Sequence, residues 1–169
     1  RDKLDPAVYI RAKGQDFHKG AQVLPRWLRH TDLALLAAMN IPTFRVARRP
    51  VVALIATGDE LVSPGGTPRD DQIIASNSYA LKAMAESVGA IARLMPIARD
   101  TEADLRMVFD LAQDADLIVT IGGASVGDHD LVAKVAGDLG LERAFYKIAM
   151  RPGKPLMAGK LRGSCMLGL

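Results

Sequence analysis

Val51-Val52-Ala53-Leu54-Ile55-Ala56, followed at once by Thr57-Gly58-Asp59-Glu60-Leu61, decides the fold of this chain. The first six residues are continuously apolar and open with two β-branched side chains. That is the pattern of a strand buried on both faces, since a strand with one wet face alternates. Working outward, Pro64-Gly65-Gly66-Thr67-Pro68 reads as a loop. Asn77 opens a helix with Leu81, Met84, Ala85 and Val88 at helical spacing, stopped by Gly89. Residues 91–97 read as a second strand. Thr101 caps the next helix, with Asp104 as a capping-box variant and an apolar stripe of Leu105, Val108, Phe109 and Ala112. Leu117 to Ile121 is a third buried strand. The turn Gly122-Gly123-Ala124-Ser125-Val126-Gly127 leads to a helix bearing Leu131, Val132, Val135 and Leu139. Shorter strand-like pieces follow at residues 145–149, 156–159 and 165–167. Strands alternating with amphipathic helices predict an α/β fold, a three-layer sandwich with a mainly parallel sheet covered on both faces.

Residues 1–50 have a different texture. Val8-Tyr9-Ile10 is strand-like, and Gly14 and Gly20 bracket a turn region. Thr31 is placed to cap a helix carrying Leu35, Leu36 and Met39, ended by Asn40 and Pro42. Arg45, Arg48, Arg49 and Pro50 form a basic connector. A boundary is therefore expected there, with a small partial linking domain in residues 1–50 and the α/β domain in residues 51–169. The chain opens on Arg1 rather than Met and stops in the apolar run Met166-Leu167-Gly168-Leu169. Both ends read as cut, and the α/β domain as C-terminally truncated.

The composition, 49% hydrophobic and 24% charged, is that of an ordinary globular protein. No apolar run approaches the ~20 residues that span a bilayer, so no membrane association is expected. Cys165, the only cysteine, cannot form an internal disulfide and reads as a core residue in a reducing, cytoplasmic setting. A net charge of +3 with 5% aromatics argues against nucleic acid, which calls for a strongly basic face with stacking platforms.

In a parallel sheet, ligands bind outside the carboxyl ends of the strands. Four segments carry chemistry at or near that edge: Thr57-Gly58-Asp59-Glu60-Leu61, Arg99-Asp100, the glycine-rich turn through Asp130, and residues 147–155. The glycine-rich turn follows a strand and opens a helix, where backbone N–H groups and the helix dipole favour an anion. Ala124 breaks a dinucleotide fingerprint, and Ile148 breaks a Walker loop ending at Gly153-Lys154. An ordinary tight turn accounts for the glycines equally well. Asp59, Glu60, Asp100 and Asp130 beside such a loop would repel an anion unless a cation intervened, and oxygen-rich sites suit Mg²⁺. Each carboxylate taken alone also reads as a helix cap or a solvated surface group. Lys147, Arg151 and Lys154 can supply charge-assisted bonds to phosphate or oxyanion oxygens, or form a solvated basic face. The histidines are scattered, which removes a zinc set, and Ser125 has no spaced His partner for a hydrolase triad.

Taken together, these motifs resemble the MoeA family of molybdenum insertases, relatives of the insertase domain of gephyrin. The resemblance rests on Thr57-Gly58-Asp59-Glu60-Leu61, Asp71-Gln72-Ile73 through Asn77, Arg99-Asp100, Gly122 to Gly127 with Asp130, and Arg151-Pro152-Gly153-Lys154-Pro155. Ile10-Arg11 through Gly14-Gln15-Asp16-Phe17 and Gly20 resembles the family's linking region. The resemblance implies a MogA-like molybdopterin-binding domain. It also implies an enzyme of molybdenum cofactor synthesis that inserts molybdate into adenylylated molybdopterin with release of AMP, in a Mg²⁺-dependent step. On that pattern Glu60, Asp100, Asp130 and Asp16 are the catalytic candidates, with Glu60, Asp100 and Asp130 placing the metal. Thr57, Gly58, Asp59, Gly122, Gly123, Ser125, Gly127, Lys147, Arg151, Lys154 and Arg11 are the substrate-binding candidates. A homodimer is expected of the full-length protein, with Arg11 and Asp16 at positions the family uses across a dimer, and a Mog-type enzyme as a partner.

The pattern departs from the family in places. Some members carry Lys where this chain has Arg151, and the usual Pro-Gly-Asn-Pro segment would come just after Leu169. Two other readings stay open. A Mog-type molybdopterin adenylyltransferase or a CinA-like protein shares the expected fold, although the segment before Val51 disfavours the former. A non-catalytic ligand- or partner-binding module is the alternative from a different class.

Overall fold

The apolar run at Val51 forms strand β1, Val51–Ala56, buried from Val52 onward. The structure is a computed structural model and describes residues 11–123, 130–146, 148–150 and 156–169. It divides into two units, Arg1–Ala47 and Arg48–Leu169.

In the first unit the described regular element is helix α1, His30–Ala38. Its N-cap is Arg29, so Thr31, expected as the cap, lies inside the first turn. Asp32 takes over the capping work. Its carboxylate accepts the Arg29 N–H at 2.9 Å and pairs with Arg26. The strand expected at Val8 to Ile10 lies outside the described residues.

The second unit is built around a six-stranded sheet of order β4-β1-β5-β8-β7-β6. These strands are β4, Ile91–Leu94, β5, Leu117–Ile121, β6, Glu142–Tyr146, β7, Met157–Leu161, and β8, Ser164–Gly168. A separate parallel pair joins β2, Leu61–Val62, to β3, Ile73–Ile74. Strands β4, β1, β5 and β8 run parallel, while β7 is antiparallel to both β8 and β6. The two reversals leave β6 running in the same direction as β1. The sheet is thus mixed and mostly parallel.

The helices are α2, Asn77–Ser87, α3, Glu102–Leu111, and α4, Leu131–Asp138. Alternate residues of each central strand feed opposite layers, which is why β1 had to be apolar throughout. Ala53, Ile55 and Ile118 join Leu105, Val108 and Phe109 of α3 and Val132, Val135 and Ala136 of α4 in the larger core. Val52, Leu54 and Val119 form the smaller core, against which Leu81 and Ala85 of α2 pack. Two residues of the expected α2 stripe, Met84 and Val88, instead face solvent. The Leu81–Ala85 spacing of four is the side turned to the sheet, and the other two fall off that line.

Other boundaries shift for local reasons. The strand expected over residues 91–97 stops at Leu94, where Pro96 has no N–H to continue a ladder. The piece expected at residues 145–149 begins earlier, at Glu142, because Glu142 to Tyr146 pairs with β7. Cys165 is exposed rather than in the core. Its neighbours Ser164 and Met166 are buried on the α3/α4 side, so Cys165 takes the opposite face. Between Arg143 and Phe145 the β6–β7 register shifts, leaving Ala144 without a partner as a bulge.

Ion pairs lock the starts of the strands and the backs of the helices. The Asp116 carboxylate accepts the Val51 N–H at 2.7 Å and is gripped by both terminal nitrogens of Arg48. Arg93 pairs with Asp114, Lys134 with Glu102, and Arg106 with Asp138 at 2.8 Å. The guanidinium of Arg48 and the Val51 N–H hold the Asp116 carboxyl below its usual range. Arg93 does the same for Asp114, and Lys134 for Glu102.

Two outcomes follow. Replacing Phe109, fully buried under α3, with Ala leaves a cavity and should cost about 3–5 kcal/mol in urea unfolding. The carboxyls titrate lower in the folded chain than unfolded. Their stabilisation is complete above the ordinary carboxylate range near ~4 and is lost as the pH falls through the lower folded values. The urea midpoint should decline on acidification below that range, and Asp116→Asn should flatten the decline.

Candidate functional site

Where β1 ends, its backbone stays stitched to both neighbours. The Thr57 N–H donates to the Ile121 carbonyl and the Gly58 N–H to the Ala98 carbonyl, each at 3.0 Å. Thr57 and Ala98 form a parallel bridge. The exits of β1, β4 and β5 therefore lie side by side.

At the β5 exit the chain must approach Thr57 closely. A Cβ on Gly122 would stand 2.8 Å from the Thr57 carbonyl oxygen. On Gly123 it would stand 2.7 Å from Thr57 Oγ1 and 2.6 Å from Val132 Cγ2. Both glycines also hold positive φ, +88° and +69°, a region that side chains disfavour. Thr57 is only 2% exposed, and its hydroxyl has no hydrogen-bond partner among the described residues. Thr120, on the same sheet face, is in the same condition. A buried hydroxyl without a partner costs free energy unless water or a ligand satisfies it.

At the β4 exit, the Asp59 carboxylate accepts the Asp100 N–H at 3.4 Å and stands 3.8 Å from the Arg99 guanidinium. Glu60 folds its carboxylate back over Gly58, where a Cβ would lie 2.4 Å from Glu60 Oε2. The turn is held from below: the Gln72 amide donates to the Asp59 carbonyl at 3.4 Å, and the Ile73 N–H to the Glu60 carbonyl at 2.8 Å. Asp59, Glu60 and Asp100 are exposed. Beside Gly122, on the α2 side, a recess of about 420 Å³ is lined by Asn77, Ala80, Leu81, Ile121 and Leu169.

Asp130 has a different environment. It is 9% exposed and caps α4, its Oδ1 accepting the Ala133 N–H at 2.7 Å. Its Oδ2 accepts the Tyr146 hydroxyl at 3.0 Å. Burial, the bond to Asp130 and the Asp130 charge push the Tyr146 phenol above its ordinary value, against the opposing charge of Arg143. The phenol is thus a donor throughout the neutral range. Arg143 lies over the ring, 5.5 Å from its centroid. A single row of the sheet pairs Tyr146 with Met157, Met157 with Gly168, Gly168 with Thr120 and Thr120 with Ile55. Tyr146 therefore ends β6 at the same edge of the sheet as Thr57.

The structure brings Thr57, Gly58, Asp59, Glu60, Asp100, Gly122 and Gly123 together at adjoining strand exits. Asp130 connects to them through Val132, which touches the Gly123 position. Among the described residues, no group of three or more His, Cys, Asp or Glu side chains could hold a metal ion. Arg11 and Asp16 belong to the first unit and pair with each other at 3.0 Å. Ser125, Gly127, Lys147, Arg151 and Lys154 lie outside the described residues. Sequence reasoning passed over Tyr146, Thr120 and the supporting role of Gln72. A tyrosine sixteen residues beyond an aspartate carries no local signal, and only the strand pairing reveals it.

Residues 53–169 match the family described as "Probable molybdopterin binding domain". The chain is 38% identical to the molybdopterin molybdenumtransferase of Nostoc sp. over 154 residues, 89% of this chain and 35% of that protein. It is 36% identical to the Haemophilus influenzae enzyme of the same name over 167 residues, 97% of this chain and 41% of that one. Among solved structures, a molybdopterin biosynthesis MoeA protein from Pyrococcus horikosii superposes with a TM-score of 0.71 at 36% identity. That superposition covers 84% of this chain and 35% of the other. The chain belongs to the family of MoeA-like molybdopterin molybdenumtransferases, and spans less than half the length of these curated relatives.

The glycine turn gives a direct check. Gly123→Ala drives a methyl group into Thr57 and Val132 at a strained φ, and should destabilise the domain by roughly 1–3 kcal/mol. Gly140→Ala is the control: it shares a positive φ but has nothing within 4 Å, so only the backbone strain should register in thermal melts.

Proposed function

We propose that the protein to which this chain belongs inserts molybdate into adenylylated molybdopterin and releases AMP, with residues 51–169 holding the pterin phosphate. Residues 1–50 are then a linking segment to a flanking domain. The observation that carries this reading is the buried Thr57 hydroxyl, without a hydrogen-bond partner among the described residues, beneath the Gly122-Gly123 turn, with the Asp59 carboxylate on the Asp100 N–H nearby. Membership in the molybdenumtransferase family supports it.

The chemistry needs an anion held, its charge offset and an oxyanion or water placed. The backbone at Gly122 and Gly123 would let phosphate approach the chain closely, with Ser125 and Gly127 following in sequence as further contacts. Thr57 supplies a hydroxyl already stripped of water, so its bond to a ligand costs little desolvation. Gly58 leaves room for the Glu60 carboxylate to lie over the turn. Lys147, Arg151 and Lys154 fall in sequence between Tyr146 and Met157, which pair at this edge. They offer cations to phosphate and molybdate oxygens. Asp130, held on both oxygens, orients the attacking oxyanion or water.

Mg²⁺ fits the residues in one way. It commonly takes one or two carboxylates and completes its shell with substrate phosphates and water, and the exposed carboxylates of Asp59, Glu60 and Asp100 sit at this edge. Glu60 and Asp100, exposed at that edge, would hold it together with the substrate, while Asp130 keeps its oxygens on the Ala133 N–H and the Tyr146 hydroxyl. When bound, it would supply charge neutralisation at the phosphate. Arg11 and Asp16 would contribute from a second subunit of a homodimer. A Mog-type enzyme would supply the adenylylated substrate, and the cytoplasm is the setting that fits this chemistry.

The test is AMP release from adenylylated molybdopterin with Mg²⁺, with and without molybdate, on the full-length protein and on this chain. Molybdate-dependent release by the full-length protein is expected, with this chain silent. Molybdopterin adenylylation from ATP, with no such release, would assign the protein to the Mog-type branch instead.

A further inference from the structure

We propose that Tyr146 is a positioning residue: its phenol fixes the Asp130 carboxylate in the orientation the reaction uses. The inference rests on the catalytic role proposed above for Asp130 and goes beyond it in naming what holds that group.

The geometry separates two tasks of one carboxylate. Capping α4 occupies a single oxygen, Oδ1, through the Ala133 N–H at 2.7 Å. A cap alone leaves the second oxygen free to turn with the side chain. Here Oδ2 is held from another element, by the Tyr146 hydroxyl at 3.0 Å on β6. The carboxylate plane is thus set by donors from a helix and from a strand. It lies at the sheet edge where Thr57, Gly122 and Gly123 meet, since the paired row from Tyr146 through Met157, Gly168 and Thr120 to Ile55 crosses the sheet without a step. Asp130 is nine-tenths buried, where an unheld carboxylate would be costly. Two donors leave lone pairs on both oxygens for a third partner, since an ionised carboxylate has about four acceptor sites.

Tyr146 is itself prepared for the task. Its ring packs against the larger core, and Arg143 covers the ring face. Its position is therefore set before any ligand arrives.

The experiment uses the full-length protein and single-turnover AMP release, so that slow variants remain readable. Tyr146→Phe keeps the ring and removes the hydroxyl that donates to Asp130. Asp130→Asn keeps a good N-cap for α4. A bond from a neutral donor to a charged group makes Tyr146→Phe about tenfold slower in the chemical step. The KM for adenylylated molybdopterin is expected to stay unchanged, and the Tm to fall only by as much as the loss of one buried hydrogen bond requires. The double variant is expected to be no slower than Asp130→Asn, since a residue acting through another has nothing left to act on. If Asp130→Asn is slow while Tyr146→Phe turns over at the full rate, the positioning role is overturned and the reading of Asp130 survives. It is overturned likewise if the two losses multiply in the double variant, or if Tyr146→Phe lowers only the Tm. If Asp130→Asn turns over normally, the reading of Asp130 falls, and the role of Tyr146 falls with it.

Discussion

The contact between Thr57 and the glycine turn after β5 governs the arrangement of the site. The Thr57 carbonyl and hydroxyl occupy the space where side chains at positions 122 and 123 would begin. Only a chain without Cβ atoms there can close onto β1 and still send α4 back over the sheet. The same closeness seals the Thr57 hydroxyl from solvent. The turn and the threonine therefore depend on each other, the glycines for clearance and the hydroxyl for its isolation. Val132 of α4 abuts the same place, so the helix that Asp130 caps adjoins this approach.

The two ends of the sheet are secured by different physics. At the start of β1, charged groups do the work: Asp116 gathers Arg48 and the Val51 N–H, and Arg49 reaches the carbonyls of Gly89 and Ala90 at 2.7 Å each. At the exit, backbone bonds join β1 to its neighbours at Thr57 and Gly58, and Asp59, Glu60 and Asp100 stay exposed. Such a division suits a binding edge. Carboxylates already committed to strong internal pairs would be poor ligands, whereas Asp59, Glu60 and Asp100 remain largely exposed.

Much of this was legible in the sequence because the central strands are buried on both faces. Val51 to Ala56 and Leu117 to Ile121 could be bounded to the residue, since an unbroken apolar run flanked by polar turns leaves little choice. Thr101 and Asp130 were readable as caps from their position before apolar helical stripes. The outer strands were harder. Glu142 to Tyr146 is mostly exposed and carries charge, so its strand character comes from pairing with β7 and not from its own pattern. Met84 and Val88 misled because helical spacing identifies a stripe but not which stripe faces the sheet. The carboxylates at the β4 exit could be placed by topology alone. The Tyr146–Asp130 bond could not, as it depends on the register of an edge strand.

That register turns on Ala144. Arg143 faces Gly159 and Phe145 faces Ala158, so Ala144 is a supernumerary residue that advances the strand by one. Were β6 to pair regularly beyond Arg143, Phe145 would stand opposite Met157, and Tyr146 would turn to the other face of the sheet. The aromatic ring reaching toward α4 would then be a hydrocarbon, with nothing to donate. One irregular residue in a solvent-exposed margin thus determines whether the interior presents a hydroxyl or none. Related chains that differ in length by a single residue at this bulge could share every motif residue and still build chemically distinct sites.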